Sequence, residues 1–245
     1  MLETIAAQSA VTISSTGLVA RLVGVLTSPR ATYAQVAARP RWLGAMAVVL
    51  VVSIATTLTF FSTNIGRQAL LDQQIRSVES FGQKVGDLQY QRLEQMASYS
   101  AYFVAAAQLA GLPLMALVVT AIVRAGSSVV LDGDATFSQV FAVVTHSGVI
   151  VALQHLFVLP LDYARESLSS PTNLAVFLPF LDDTTFFARL LGAIDLFVIW
   201  WTVSLAIGLA VVYRRRTAPI AAASFAMYIA LAVTIAVVKT ALSGA

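Results

Sequence analysis

Long apolar runs alternate with short polar stretches along this chain, and five of the runs are long enough to cross a bilayer. Residues 190–212 read LLGAIDLFVIWWTVSLAIGLAVV. As one helix they would extend roughly 35 Å at about 1.5 Å per residue, enough to span the hydrocarbon with some tilt. Their Leu, Ile, Val and Phe side chains contribute roughly −4 to −8 kcal/mol on the insertion scale, against at most about 3 kcal/mol for Asp195. The run inserts despite its acid. Arg214, Arg215 and Arg216 follow at once and anchor that end in the cytoplasm, because basic residues beside a span resist translocation.

The other predicted spans are residues 42–61, 102–123, 137–160 and 219–238. The first is uncharged and opens on Trp42, an interfacial anchor that follows Arg39-Pro40-Arg41. In the second, Pro113 frees a carbonyl and predicts a kink that neighbouring helices can accommodate. Its Ala107 and Gly111 make a small-xxx-small pair suited to close packing. The third carries Thr145, His146, Gln154 and His155, a heavy polar load for a bilayer helix. Its two histidines lie on opposite faces, about 180° apart at about 100° per residue, which argues against a shared metal site on this helix. The fifth opens on Pro219, repeats Ala222, Ala226 and Ala230 at helical spacing, and ends near Lys239, which can snorkel outward.

Between the spans the pattern changes period or polarity. In the N-terminal segment 1–41, Leu18, Val19, Leu22, Val23, Val25 and Leu26 predict an amphipathic helix along the membrane, with Arg21 snorkelling. Ser28-Pro29 then reads as N-cap and first helical position of a short second helix, with Tyr33, Val36 and Ala37 on one face. Residues 64–98 mix Arg67, Arg76, Lys84 and Arg92 with Asp72, Glu79, Asp87 and Glu94. Leu71, Ile75, Val78, Phe81, Val85 and Leu88 step by three and four through them, so this is an extramembrane amphipathic helical segment with a break near Gly82 and Gly86. Asp132-Gly133-Asp134 reads as a turn before a helix, because the rest of a calcium-loop ligand set is missing. The run Leu174-Ala175-Val176-Phe177-Leu178-Pro179-Phe180-Leu181 is too short to cross and too apolar for water, and is expected in the interface or as a re-entrant piece.

Composition agrees with the pattern. Of 245 residues 58% are hydrophobic and only 11% charged, and the mean hydropathy is +0.83, whereas a soluble domain carries about a quarter charged residues. The fold class is therefore all-α: a single polytopic membrane bundle of five transmembrane helices over residues 1–245. The net charge of +3 is less informative than its placement. Five crossings with the triple arginine inside put the N-terminus in the cytoplasm, and Arg-rich, Ala-rich usage suggests a bacterial plasma membrane. There is no Cys, which excludes disulfides, thiolate catalysis and Cys-based metal sites. No cleavable signal is expected, the first span itself serving for export.

The chemistry the chain lacks narrows its function. It has no glycine-rich phosphate loop and no zinc-protease helix motif, and no Ser, His and acid in a recognisable order. An enzyme is not expected, nor a metal, a cofactor or a nucleic-acid partner. Asp195 is the sharpest feature, since a carboxyl within a span faces the bundle interior and marks a pathway or an essential contact. His146, Gln154, Gln108 and Trp200 are its candidate partners in an intramembrane polar cluster. Two roles stay open for Asp195, a structural hydrogen bond that fixes helix packing and an ion or substrate site.

The order of landmarks resembles the Yip family of five-span membrane proteins. The landmarks are Ser28-Pro29 with Thr32-Tyr33, Pro40 with Trp42, Gly133-x-Ala135-Thr136-Phe137, Asn173-Leu174, Asp195-Leu196-Phe197 with Trp200, and Gly208-Leu209. The resemblance covers nearly the whole chain, and the long charged segment 64–98 favours a bacterial branch. It implies a fold and a membrane address rather than a reaction. Two functions follow as expectations. One is a scaffold or adaptor that binds another membrane protein or its own copy, or organises the lipid bilayer. The other is a small transporter or permease-like subunit using Asp195.

Overall fold

The computed structural model describes residues 17–79, 83–97, 99–130, 135–182 and 185–242. Among them the chain is helical, apart from turns and one isolated antiparallel bridge between Asn173 and Asp195. The helices are α1 Leu18–Thr27, α2 Pro29–Ala38, α3 Leu43–Phe61, α4 Asn64–Glu79, α5 Asp87–Ala97, α6 Ser100–Val130, α7 Phe137–Ser147, α8 Val149–Arg165, α9 Phe186–Gly192, α10 Leu196–Val212 and α11 Thr217–Leu242, with a 3-10 turn at Leu174–Phe177. Residues 1–16, Gly82 and the Asp132-Gly133-Asp134 turn lie outside the described residues.

The α7–α8 rod and α3 form the middle of the bundle. α6 packs on both α3 and α7, α3 on α8, α10 on α7 and α8, and α11 on α10. Four segments are long and apolar enough to cross a membrane: Leu43–Phe61, Ser100–Gly126, Phe137–Arg165 and Thr217–Leu242. The chain is an integral, multi-pass membrane protein. Burial is lowest in α6 and α11: 50% of the apolar window in Phe137–Arg165 is buried inside the protein, against 11% for Ser100–Gly126 and 17% for Thr217–Leu242. Lipid tails are as apolar as leucine, so outward-facing Leu, Val and Ile on α6 and α11 cost nothing in a bilayer.

Three expectations about helix continuity need correction. The predicted span 190–212 is not one helix, because α9 stops at Gly192 and α10 starts at Leu196. Asp195 therefore lies before the helix as its N-cap, with extended backbone at φ −110°, ψ 137°, rather than inside a span. The reason is local: its side chain accepts hydrogen bonds from Phe197 N and Val198 N, and an aspartate that does this starts a helix more readily than it continues one. The remaining 17 residues of α10 would be about 25 Å long, the lower edge of what crosses a bilayer. The third predicted span divides at Gly148 into α7 and α8 and runs on past Pro160 to Arg165. Ser28 holds the N-cap position of α2 ahead of Pro29, but its side chain makes no capping bond.

The charged segment after α3 forms α4 and α5, with residues 83–86 non-helical between them. Ala69 is buried against the end of α3 beside Phe60 and Phe61, and Leu71 is buried too, whereas Leu88 is exposed.

Candidate functional site

The break before α10 is held from four directions. The Tyr228 hydroxyl on α11 donates to Ala193 O (3.1 Å) and accepts from Asp195 N (2.9 Å). In the adjoining loop Leu174 N donates to Ile194 O (2.9 Å), and Leu196 N donates to Thr172 O (3.0 Å). The Asp195 carboxylate completes the knot. Its Oδ1 accepts from Phe197 N (2.8 Å), Val198 N (3.4 Å) and Gln154 Nε2 of α8 (3.1 Å). Its Oδ2 accepts from Ser170 Oγ (2.9 Å) and Thr172 Oγ1 (2.5 Å). A carboxylate that accepts from two backbone amides, a carboxamide and two hydroxyls has its acceptor sites engaged by protein. Chemically it ties α8, the 170–174 loop and α10 together.

Of the partners proposed from the sequence, Gln154 meets Asp195 and the other three do not bond to it. Gln108 on α6 accepts from Thr57 Oγ1 of α3 at 3.0 Å. His146 is fully buried on α7, where its Nδ1 lies 2.7 Å from Ala142 O. The carbonyl can only accept, so Nδ1 carries the proton there and Nε2 is left as a buried acceptor without a partner among the described residues. Trp200 is 41% exposed and tilts against Phe197, with ring centroids 6.0 Å apart. Trp42 packs edge-on against Phe141, centroids 4.9 Å apart. Arg214, Arg215 and Arg216 are exposed. Arg214 takes a left-handed conformation at φ 51°, and Arg215 N donates back to Ala210 O at 2.9 Å, which closes the end of α10.

Gln154 and Gln108 share a different feature. They line a half-open cavity of about 310 Å³ between α3, α6 and α8, together with Thr56, Thr57, His155, Asp162 and Ser170 on its polar side. Phe60, Phe61, Val104 and Leu159 give it apolar walls. Among the described residues no group of three or more His, Asp or Glu side chains is placed to hold a metal ion.

Sequence reasoning passed over Ser170, Thr172 and Tyr228 as partners of Asp195. Their signal was faint: two hydroxyls flanking Pro171 in a loop, and a lone phenol within an uncharged span. It also assigned no job to Tyr33. That side chain is fully buried, and its hydroxyl lies 2.7 Å from Ser204 Oγ of α10. Burial raises the Tyr33 phenol well above its ordinary range, and the Ser204 hydrogen bond only partly opposes this. The ring rests on Gly208, where an added Cβ would stand 3.1 Å from Tyr33 Cδ1 and 2.4 Å from Val143 Cγ1. Both residues belong to landmarks noted in the sequence, and the structure joins them.

The sequence matches the Yip1 domain family over residues 23–238. No curated protein and no solved structure matches the chain.

Proposed function

This chain belongs to the Yip1 domain family, and we propose that it is a non-enzymatic membrane scaffold that pairs, through its outer helices, with another membrane protein or with a second copy of itself. The observation that carries this reading is the outward placement of its small-residue faces. Ala107 and Gly111 on α6 are exposed, as are Ala222, Ala226 and Ala230 on α11, and apart from α6's own backbone no atom of the described residues lies within 4 Å of where a Gly111 side chain would begin. Small residues at helical spacing let two backbones approach closely, which drives helix association in lipid where the hydrophobic effect is absent. Neither face is covered among the described residues.

The bonding of Asp195 favours this reading over transport. A transport acid exchanges its ligand, whereas each Asp195 oxygen is engaged by protein donors. We place the protein in a bacterial plasma membrane with five crossings, α10 being the short one and its capped start at headgroup depth. The triple arginine and the N-terminus then lie in the cytoplasm.

Crosslinking in native membranes, followed by identification of what is captured, tests the scaffold. Bulky substitution at Gly111 and Ala226 should abolish the main adduct, and an adduct indifferent to both would overturn the reading. Asp195→Asn separates the alternative: lost ion-coupled flux in liposomes with assembly intact would establish transport instead. Tags on the two termini that prove accessible from the same side would refute the five crossings.

A further inference from the structure

α6 and α8 each pack on α3 but make little contact with one another, and the cavity occupies the cleft between them over Thr56, Thr57, Phe60 and Phe61. Near the helix ends its lining is Asp162 among Phe60, Phe61, Val104 and Leu159. Further in it is polar, with Gln108 about 12 Å from the start of α6 and Gln154 about 16 Å from the end of α8. Asp162 Oδ1 is buried without a partner among the described residues. Arg165, one turn further on, donates instead to Ser169. Neither Lys nor Arg is among the described residues that line the cleft. Gln154 spends an amide hydrogen on Asp195, so its carbonyl oxygen remains as an acceptor. The cleft also borders a face met above. Val104 and Gln108 line it, and the exposed Ala107 and Gly111 fall within about 100° of them round α6. A helix seated on those small residues lies beside the cleft.

We propose that this cleft receives the cationic side chain of a lysine or arginine on a partner's transmembrane helix, with its charge on Asp162. The inference rests on the scaffold reading and names what the partner must carry. A carboxylate oxygen buried without a partner is costly, and a cation that brings several donors satisfies it through charge-assisted hydrogen bonds. Around that oxygen the wall is apolar, which suits the aliphatic stem of a long basic side chain. The gap between α6 and α8 is the entry, and the Ala107–Gly111 face lets the partner backbone come close enough for one side chain to reach in. A phospholipid head group fits less well, because its phosphate would meet Asp162 with no Lys or Arg in the lining to neutralise it. A divalent cation needs several oxygen ligands, and only one carboxylate lines the cleft.

The test places the full chain in phosphatidylcholine vesicles with a synthetic leucine–alanine helix of about 20 residues, long enough to span. The peptide carries one lysine a turn from its end, and a twin carries norleucine there, which keeps the stem and lacks the ammonium. Association is read by resonance energy transfer. The lysine peptide should bind at least about tenfold more tightly than its twin, the worth of one charge-assisted hydrogen bond. Asp162→Asn should remove that difference. Val104→Trp, which fills the cleft and leaves Asp162 in place, should remove it too. Equal binding of the two peptides would overturn the proposal, as would an unchanged lysine preference in either folded variant. Free n-butylammonium binding as tightly as the peptide would also overturn it, by showing a site for small amines rather than for a helix. The scaffold reading fails separately. A native crosslinked adduct that is lost on bulky substitution at Gly111 but indifferent to Asp162→Asn would sink this site and leave the scaffold standing.

Discussion

The two ends of this bundle are closed by opposite means. At the end where α1 and α2 pack, the closure is shape: Tyr33 and Val36 are fully buried against α7 and α10, and the Tyr33 ring occupies the notch that Gly208 leaves open. At the other end the closure is hydrogen bonding, with Asp195, Gln154, Ser170, Thr172 and Tyr228 joining α8, α10, α11 and a loop. The difference follows from what each end must seal. Continuous helices meet at the first, so their backbone groups are already paired and only volume remains to be matched. The second contains a helix break, and its freed amides and carbonyls, part-buried between neighbouring segments, need partners. One end should therefore be sensitive to added methyl groups, the other to lost acceptors.

The largest effect is expected from Asp195→Leu, which keeps an apolar volume but strands two backbone amides, a carboxamide and two hydroxyls. It should cost about 3–5 kcal/mol, measured as a shift in reversible unfolding in mixed micelles. A cost below about 1 kcal/mol would show that the break is held by packing after all. Next comes Gly208→Val, which drives carbon into Val143 and toward Tyr33 and should cost about 2–3 kcal/mol by overpacking. Tyr33→Phe keeps the shape and loses one hydrogen bond, for about 1 kcal/mol by the same measurement.

That variant also carries a pH signature. The folded-state pKa of Tyr33 is raised above its ordinary value of 10.0, so its contribution is fully present below about pH 10 and is lost as pH rises beyond it. Tyr33→Phe should flatten that alkaline decline. The smallest effect, and the only gain, is Glu166→Gly. Glu166 ends α8 at φ 51°, a conformation that glycine adopts without strain, and the change should stabilise by up to about 1 kcal/mol in the same assay.

How much was legible before the fold depended on whether the controlling interaction was local. The uncharged runs at 42–61 and 102–123 became α3 and the Ser100–Gly126 part of α6, since apolar runs of that length have nowhere to go but lipid. The charged segment became the two helices α4 and α5. The break at Asp195 was missed because hydropathy averages over a window, and one aspartate among 13 Leu, Ile, Val and Phe residues barely moves the mean. Its capping role was local and visible in principle. What selected it was remote: Tyr228 is 33 residues away, Thr172 is 23 and Gln154 is 41. His146 and Trp200 were reasonable partners by type, but helix rotation turned one into its own backbone and left the other 41% exposed.

Apolar run length, scarcity of charge and the ordered landmarks were enough to establish that the chain is a helical membrane protein and to point to its family. These properties add up along the backbone and need no partner. Which carboxamide meets Asp195, why Gly208 must lack a side chain, and where a cavity opens beside α8 were decided by tertiary structure alone. Each depends on how helices distant in sequence are rotated and placed against one another, and no local pattern encodes that rotation.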